Sequence, residues 1–242
     1  LDVQALARTG APAVLVTPAH QFPTGVVLDG ARRRELAQWA SDGGLVIEDD
    51  YDAEHRYDRA PVTALRATLT DRICYAGSLS KTLAPALRVG WLLVPPWLRA
   101  DVVDAKRDLD LGNPTLPQLV LARMMDSGDL ERHLRSVRRR HRRRRDEMVA
   151  ALRTEAPDLT IHGAAAGLHL TVTYDGAPGS DVAVAEALLE RGVKVQPLSW
   201  HRSAAGEPGL VLGYAAVTPG RIVEGIAAVG EVLRAEPRAQ AG

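Results

Sequence analysis

The sequence predicts an α/β fold, a mostly parallel sheet with helices, followed by a smaller α+β unit. Three observations predict it. Over roughly the first hundred residues, short apolar runs alternate with helical stretches. Those runs lack the apolar/polar alternation of a half-exposed sheet. From about residue 159 onward the pattern changes.

Each element follows in order. Ala13-Val14-Leu15-Val16 has the continuous apolar character of a buried strand. Residues 30–41 read as a helix, with Leu36, Trp39 and Ala40 at 3–4 spacing. Residues 45–47 form a second strand that ends in Glu48-Asp49-Asp50. Residues 73–76 form a third, running into Gly77-Ser78-Leu79-Ser80-Lys81, and residues 89–94 a fourth, closed by Pro95-Pro96. Such a sheet is expected to be covered on both faces and to collect its chemistry beyond the strand carboxyl ends. Both polar clusters, 48–52 and 77–82, fall there.

Residues 97–110 and 116–155 read as helical. The second run contains Arg138-Arg139-Arg140-His141-Arg142-Arg143-Arg144-Arg145, but Leu134, Val137, His141, Met148 and Leu152 fall roughly on one stripe. No aromatic interleaves the arginines to stack on bases, so a solvated amphipathic helix is expected rather than a nucleic-acid contact. Residues 168–174 alternate like a half-exposed strand, with Leu168, Leu170 and Val172 on one face. A helix follows at 181–191, stopped by Gly192; strands follow at 193–197 and 210–214, and a helix at 219–234. The tail after Arg234 reads as frayed. The expected division is a sheet domain over 1–110, connecting helices over 111–155 and a small domain over 156–242.

Composition narrows the function. Thirty basic and thirty acidic residues give no net charge, so global electrostatics point to neither a nucleic-acid nor a membrane partner. Cys74 is the only cysteine, which rules out an internal disulfide and a cysteine zinc site and fits a reducing cytoplasm. No apolar run reaches the roughly 18 residues that a membrane span needs. The chain opens on Leu1 without a signal-like segment and enters a strand within a dozen or so residues, so it is expected to begin inside a larger fold.

Of the three lysines, Lys106 sits among charges on a surface helix and Lys194 in a strand of the small unit. Lys81 follows a buried strand and two serines, with Arg88 seven residues on. A lysine that forms a Schiff base needs a confined, partly desolvated place, and hydroxyls with an arginine suit a phosphate. The local pattern also fits an ordinary loop lysine. Asp49 and Asp50 end an apolar strand, where an anion is costly without a positive partner. A protonated pyridine nitrogen is such a partner, and the Tyr51 hydroxyl could serve the same ring's oxygen. A helix cap or a magnesium site would use these carboxylates too, although no Walker-type glycine loop accompanies them.

Three ordered segments, 17–25, 48–57 and 77–90, carry a resemblance. Thr17-Pro18-Ala19-His20-Gln21-Phe22-Pro23-Thr24-Gly25, Glu48-Asp49-Asp50-Tyr51-Asp52 and Gly77-Ser78-Leu79-Ser80-Lys81-Thr82 through Arg88-Val89-Gly90 resemble the fold type I, class I/II aminotransferases. More narrowly, they resemble the aminotransferase-like domain of MocR regulators of the GntR superfamily, in which a winged helix precedes that domain. The resemblance implies pyridoxal 5′-phosphate (PLP) as cofactor, with Lys81 as the lysine that holds it. It implies Asp49 at the pyridinium nitrogen, Tyr51 at the ring oxygen, and Ser78, Ser80 and Arg88 at the phosphate. His20 or Gln21, or the adjacent Phe22, would face the ring. It also implies a homodimer, a small amino compound or amino acid as ligand, and DNA contact only through a winged helix outside this chain. The expected function is effector sensing, and the alternative is an active aminotransferase. Against the alternative, Val211 stands where aminotransferases carry the arginine that clamps a substrate carboxylate, with His169 and Arg202 as candidate substitutes.

Overall fold

The computed structural model describes residues 1–57, 63–177 and 179–235. The tail expected to fray after Arg234 lies almost wholly outside the described residues. The chain forms two compact units: one of Leu1–Gln21, Val27–Glu54 and Ala60–Val137, the other of Phe22–Val26, His55–Arg59 and Arg138–Gly242.

In the first unit, helix α1 (Val3–Thr9) is capped by the Asp2 side chain, which accepts from the Ala5 N–H, and ends at Gly10 in the left-handed region. Strand β1 (Ala13–Val16), helix α2 (Gly30–Ser41), and strands β2 (Leu45–Asp49), β3 (Ile73–Ser78) and β4 (Gly90–Leu93) follow. The sheet order is β1-β2-β3-β4, with β1, β2 and β3 parallel and β4 antiparallel. Val14, Val16, Val46 and Ile73 share one face and pack against Val3 of α1 and Leu36 and Ala40 of α2. The sheet is therefore mostly parallel, as the apolar runs predict. The expected cover on both faces is not present within this unit: Leu15 is exposed, and so is the whole of β4. Helices α3 (Arg99–Asp110) and α4 (Thr115–Asp126) bury no residue, and Leu109 and Leu111 are 86% and 91% exposed.

The single helix expected over 116–155 is two, α4 and α5 (Asp129–Glu155), because Gly128 adopts φ 68° and breaks the run. The division between the units falls inside α5. Four of the five residues of its predicted stripe, Val137, His141, Met148 and Leu152, are buried, and Leu134 is half-buried.

In the second unit, β5 (Thr160–His162), β6 (His169–Thr173), β7 (Gln196–Pro197) and β8 (Gly209–Gly213) form an antiparallel sheet in the order β5-β6-β8-β7. Helices α6 (Ser180–Glu190) and α7 (Pro219–Ala235) pack with Met148 and Leu152 over Leu170, Val172, Leu210 and Leu212. Strand β6, expected to be half-exposed, is buried throughout. Its alternation is as read, but the polar face is covered too. The Thr171 hydroxyl donates to the Pro23 carbonyl, and the His169 Nε2 lies 3.1 Å from the same oxygen. Asp181, fully buried at the start of α6, accepts from the Ser199 N–H at 2.8 Å and the Gly209 N–H at 3.3 Å.

Candidate cofactor site

Strand register brings the predicted residues together. Asp49 pairs with Ala76, two residues before Ser78, so Asp49 and Ser78 emerge on the same sheet face, the one opposite α1 and α2. Ser78 pairs with Gly90, and the Leu79 N–H donates to the Val89 carbonyl at 3.0 Å. The chain leaves the sheet at Ser78 and returns through Arg88, so Ser80, Lys81 and Arg88 lie on one closed loop. Arg88 holds φ 51°, a left-handed conformation that costs a non-glycine residue roughly 1 kcal/mol. Opposite Gly77 lies the Trp91 indole, 2.5 Å from where a Cβ would stand, so a larger residue before Ser78 would have to push the ring aside.

The neighbouring acids divide by face. Glu48 is buried toward α2 and accepts from the Leu65 and Arg66 N–H groups at 2.9 and 3.1 Å. Asp49 is half-buried and has no hydrogen bond or ion pair among the described residues. Burial, and next the charge of Asp52, raise its carboxyl above the usual carboxylate range. Asp50 accepts the Tyr75 hydroxyl at 2.9 Å. The Tyr51 hydroxyl donates to the His20 carbonyl at 3.1 Å; burial, then the charge of Asp52, push this phenol upward.

These features fit PLP. A half-buried carboxylate without a cation matches a pyridinium nitrogen. Two serine hydroxyls and an arginine without partners among the described residues match a phosphate. Lys81 departs from expectation in one respect. It is exposed rather than confined, although its neighbours Leu79 and Thr82 are buried.

The 20–22 segment resolves differently at each position. His20 is buried against Asp52, Nδ1 to carboxylate oxygen 2.7 Å. Gln21 is exposed and accepts the Thr17 hydroxyl at 2.7 Å. Phe22 belongs to the second unit, where its ring meets those of His169 and His201 edge-on at 5.0 Å. Val211 is buried opposite Thr171, on the face that holds Pro23. Of the two candidate substitutes, His169 lies against the Pro23 carbonyl and Arg202 donates to the Glu207 carbonyl.

Two residues escaped the sequence reading. Asp52 was seen only as part of an acidic cluster. The His133 Nε2 lies 2.9 Å from the Thr82 carbonyl, next to Lys81, and anchors that loop from α5. A histidine placed ahead of the arginine run was the available signal.

The fold and site define a class: a PLP-type aminotransferase-like domain. The chain belongs to the aminotransferase class I and II family, whose model matches residues 1–229. It is 35% identical over 84% of its length to the HTH-type pyridoxine biosynthesis transcriptional regulator PdxR of Corynebacterium glutamicum. It is 33% identical over 88% to the probable rhizopine catabolism regulatory protein MocR of Rhizobium meliloti. In each case it spans 44% of the relative's length. Among solved structures, Pyrococcus horikoshii kynurenine aminotransferase superposes with a TM-score of 0.87 at 30% identity, over 98% of this chain and 60% of that one. Among the described residues, no helix is long and apolar enough to cross a membrane.

Proposed function

We propose that this domain is the effector-sensing part of a MocR-type transcriptional regulator, which holds PLP through Lys81 and responds to a small amino compound. The observation that supports the reading is that Asp49 and Ser78 end β2 and β3 on one sheet face and that Ser80, Lys81 and Arg88 lie on the loop leaving β3, with no hydrogen bond or ion pair to their side chains among the described residues. When bound, the cofactor supplies an aldehyde that condenses with primary amines and a ring that accepts electrons from the adjoining carbon. The chain's own residues divide the binding. Asp49 would hold the ring nitrogen protonated, and Tyr51 would serve the ring oxygen. Ser78 and Ser80 donate to the phosphate, and Arg88 neutralises it.

Sensing is favoured over turnover by the regulators among the relatives and by Val211, which provides no guanidinium for a carboxylate. The second reading, an active class I/II aminotransferase, draws on the likeness to kynurenine aminotransferase. In this reading of the whole protein, DNA is touched only by a winged-helix domain outside this chain. A second copy of the chain is the expected partner, and the exposed leucines 109, 111, 116 and 119 at the α3–α4 elbow offer it an apolar face. The cytoplasm, where Cys74 stays a free thiol, is the expected compartment.

The test is the near-visible absorption band of the full-length protein loaded with PLP. Borohydride should fix the cofactor to Lys81, and Lys81→Ala should abolish the band in a protein that still folds. A band that survives the substitution removes the assignment. Release of a keto acid from an added amino acid over many turnovers would select the aminotransferase reading.

A further inference from the structure

The loops after β1 and β2 are joined by a buried pair, His20 and Asp52, in which Asp52 has no role in the cofactor assignments. The His20 Nδ1 and an Asp52 carboxylate oxygen lie 2.7 Å apart, with the two side chains 2% and 1% exposed. A contact this short between two buried side chains fixes the imidazole ring in orientation. The backbone carbonyl of the same His20 receives the Tyr51 hydroxyl at 3.1 Å. Clamping the side chain of residue 20 therefore fixes the acceptor that aims residue 51.

The surrounding charges single out Asp52. Within one turn of chain stand Asp49, Asp50 and Asp52. Asp50 takes the phenol of Tyr75, Asp49 has no hydrogen bond or ion pair among the described residues, and Asp52 meets both the His20 ring and, electrostatically, the Tyr51 phenol. A buried ion pair gives little net stability over an apolar pair of the same size, so stability alone is a weak reason for this one.

We propose that Asp52 is a positioning residue of the cofactor site: by clamping His20 it sets the carbonyl that competes with the ring oxygen of PLP for the Tyr51 proton. This rests on the assignment of Lys81 and Tyr51 to the cofactor. A phenol has one proton to donate, and the His20 carbonyl decides how far that proton is shared. Displacing the carbonyl changes what the ring oxygen receives without removing any group that touches the cofactor.

The experiment is a pH titration of the near-visible band in full-length protein loaded with PLP. A hydrogen bond donated to the ring oxygen stabilises the deprotonated chromophore, so weakening it raises the midpoint. Tyr51→Phe should raise the midpoint by about one pH unit. Asp52→Ala and His20→Ala, which loosen the competing carbonyl, should each lower it by up to about half a unit, and should shift nothing in a Tyr51→Phe background. A folded Asp52→Ala protein that titrates like wild type overturns the proposal. So does a shift that persists in the Tyr51→Phe background, since the route would then bypass Tyr51. If Asp52→Ala does not fold, Asp52→Asn and His20→Ala carry the same comparison. The Lys81→Ala control separates the two levels. A band that survives Lys81→Ala sinks the cofactor assignment and this proposal together. A band that needs Lys81 but ignores both His20 and Asp52 sinks the proposal alone.

Discussion

Glu48 and Asp49 are consecutive carboxylates on opposite faces of β2: the first is buried and accepts two backbone N–H groups, the second is half-buried and accepts none among the described residues. The alternation of a strand thus separates, within a single peptide unit, a structural acid from the one proposed to meet the cofactor.

Glu48→Ala is expected to destabilise the fold by about 2–4 kcal/mol, because it strands the Leu65 and Arg66 N–H groups next to a cavity. Cofactor affinity in the protein that remains folded should change little. Denaturant unfolding of the apo protein together with PLP titration checks both halves.

Asp49→Asn is expected to do the reverse. Its folded-state carboxyl is raised by burial and by Asp52, so ionising it costs stability at neutral pH. The neutral amide removes that cost, leaving the apo protein at least as stable at pH 7. The difference should vanish as pH falls below about 4, where the unfolded chain also carries the proton. PLP affinity should fall tenfold or more, about 1.4 kcal/mol or greater, for want of the pyridinium's counter-ion.

His141 makes stability depend on pH in the second unit. Its Nδ1 lies 3.4 Å from that of His55. Burial first, then His55, Arg140 and Arg144, lower it to about 4. The unfolded chain takes a proton near pH 6.5 that the folded one refuses, so stability is full above about 6.5 and declines toward pH 4. Up to about 3 kcal/mol is at stake. Unfolding free energies between pH 5 and 7.5 should show this slope, and His141→Asn should flatten it.

Asp181→Ala should cost about 2–3 kcal/mol, since it unties α6 from the Ser199 turn and from the start of β8 in one step. A lower thermal midpoint, with the helical circular-dichroism signal retained below it, is the expected result. An unchanged midpoint would mean that water replaces the carboxylate.

The arginine run of α5 should give no salt-sensitive DNA binding by this domain. Arg145 is buried over the Tyr57 ring and Arg144 donates to the Ala215 carbonyl. Arg142 lies 4.0 Å from Asp146. A gel shift whose affinity falls steeply with salt would contradict this.

Much of the first unit was legible because apolar runs are strands at almost any burial: β1 and α2 fall where the residues place them. Segments whose structure depends on distant partners were not legible. Strand β5 is three residues long and exists by pairing with β6. The His20–Asp52 pair joins residues 32 apart, and the His133–Thr82 contact joins residues 51 apart. No local pattern encodes either. Lys81, Ser78 and Arg88 could be named from their motif, yet only the register of β3 with β4 shows why they share a loop. Burial misled where a polar face was covered by a carbonyl, as on β6, and where apolar residues stayed in water, as on β4.

That last strand has a practical consequence. Trp91, Leu92 and Leu93 line an outermost strand with water on both sides of its side chains and one row of backbone groups unclaimed among the described residues. Residues 1–242 expressed by themselves would carry a template for stacking on their own kind.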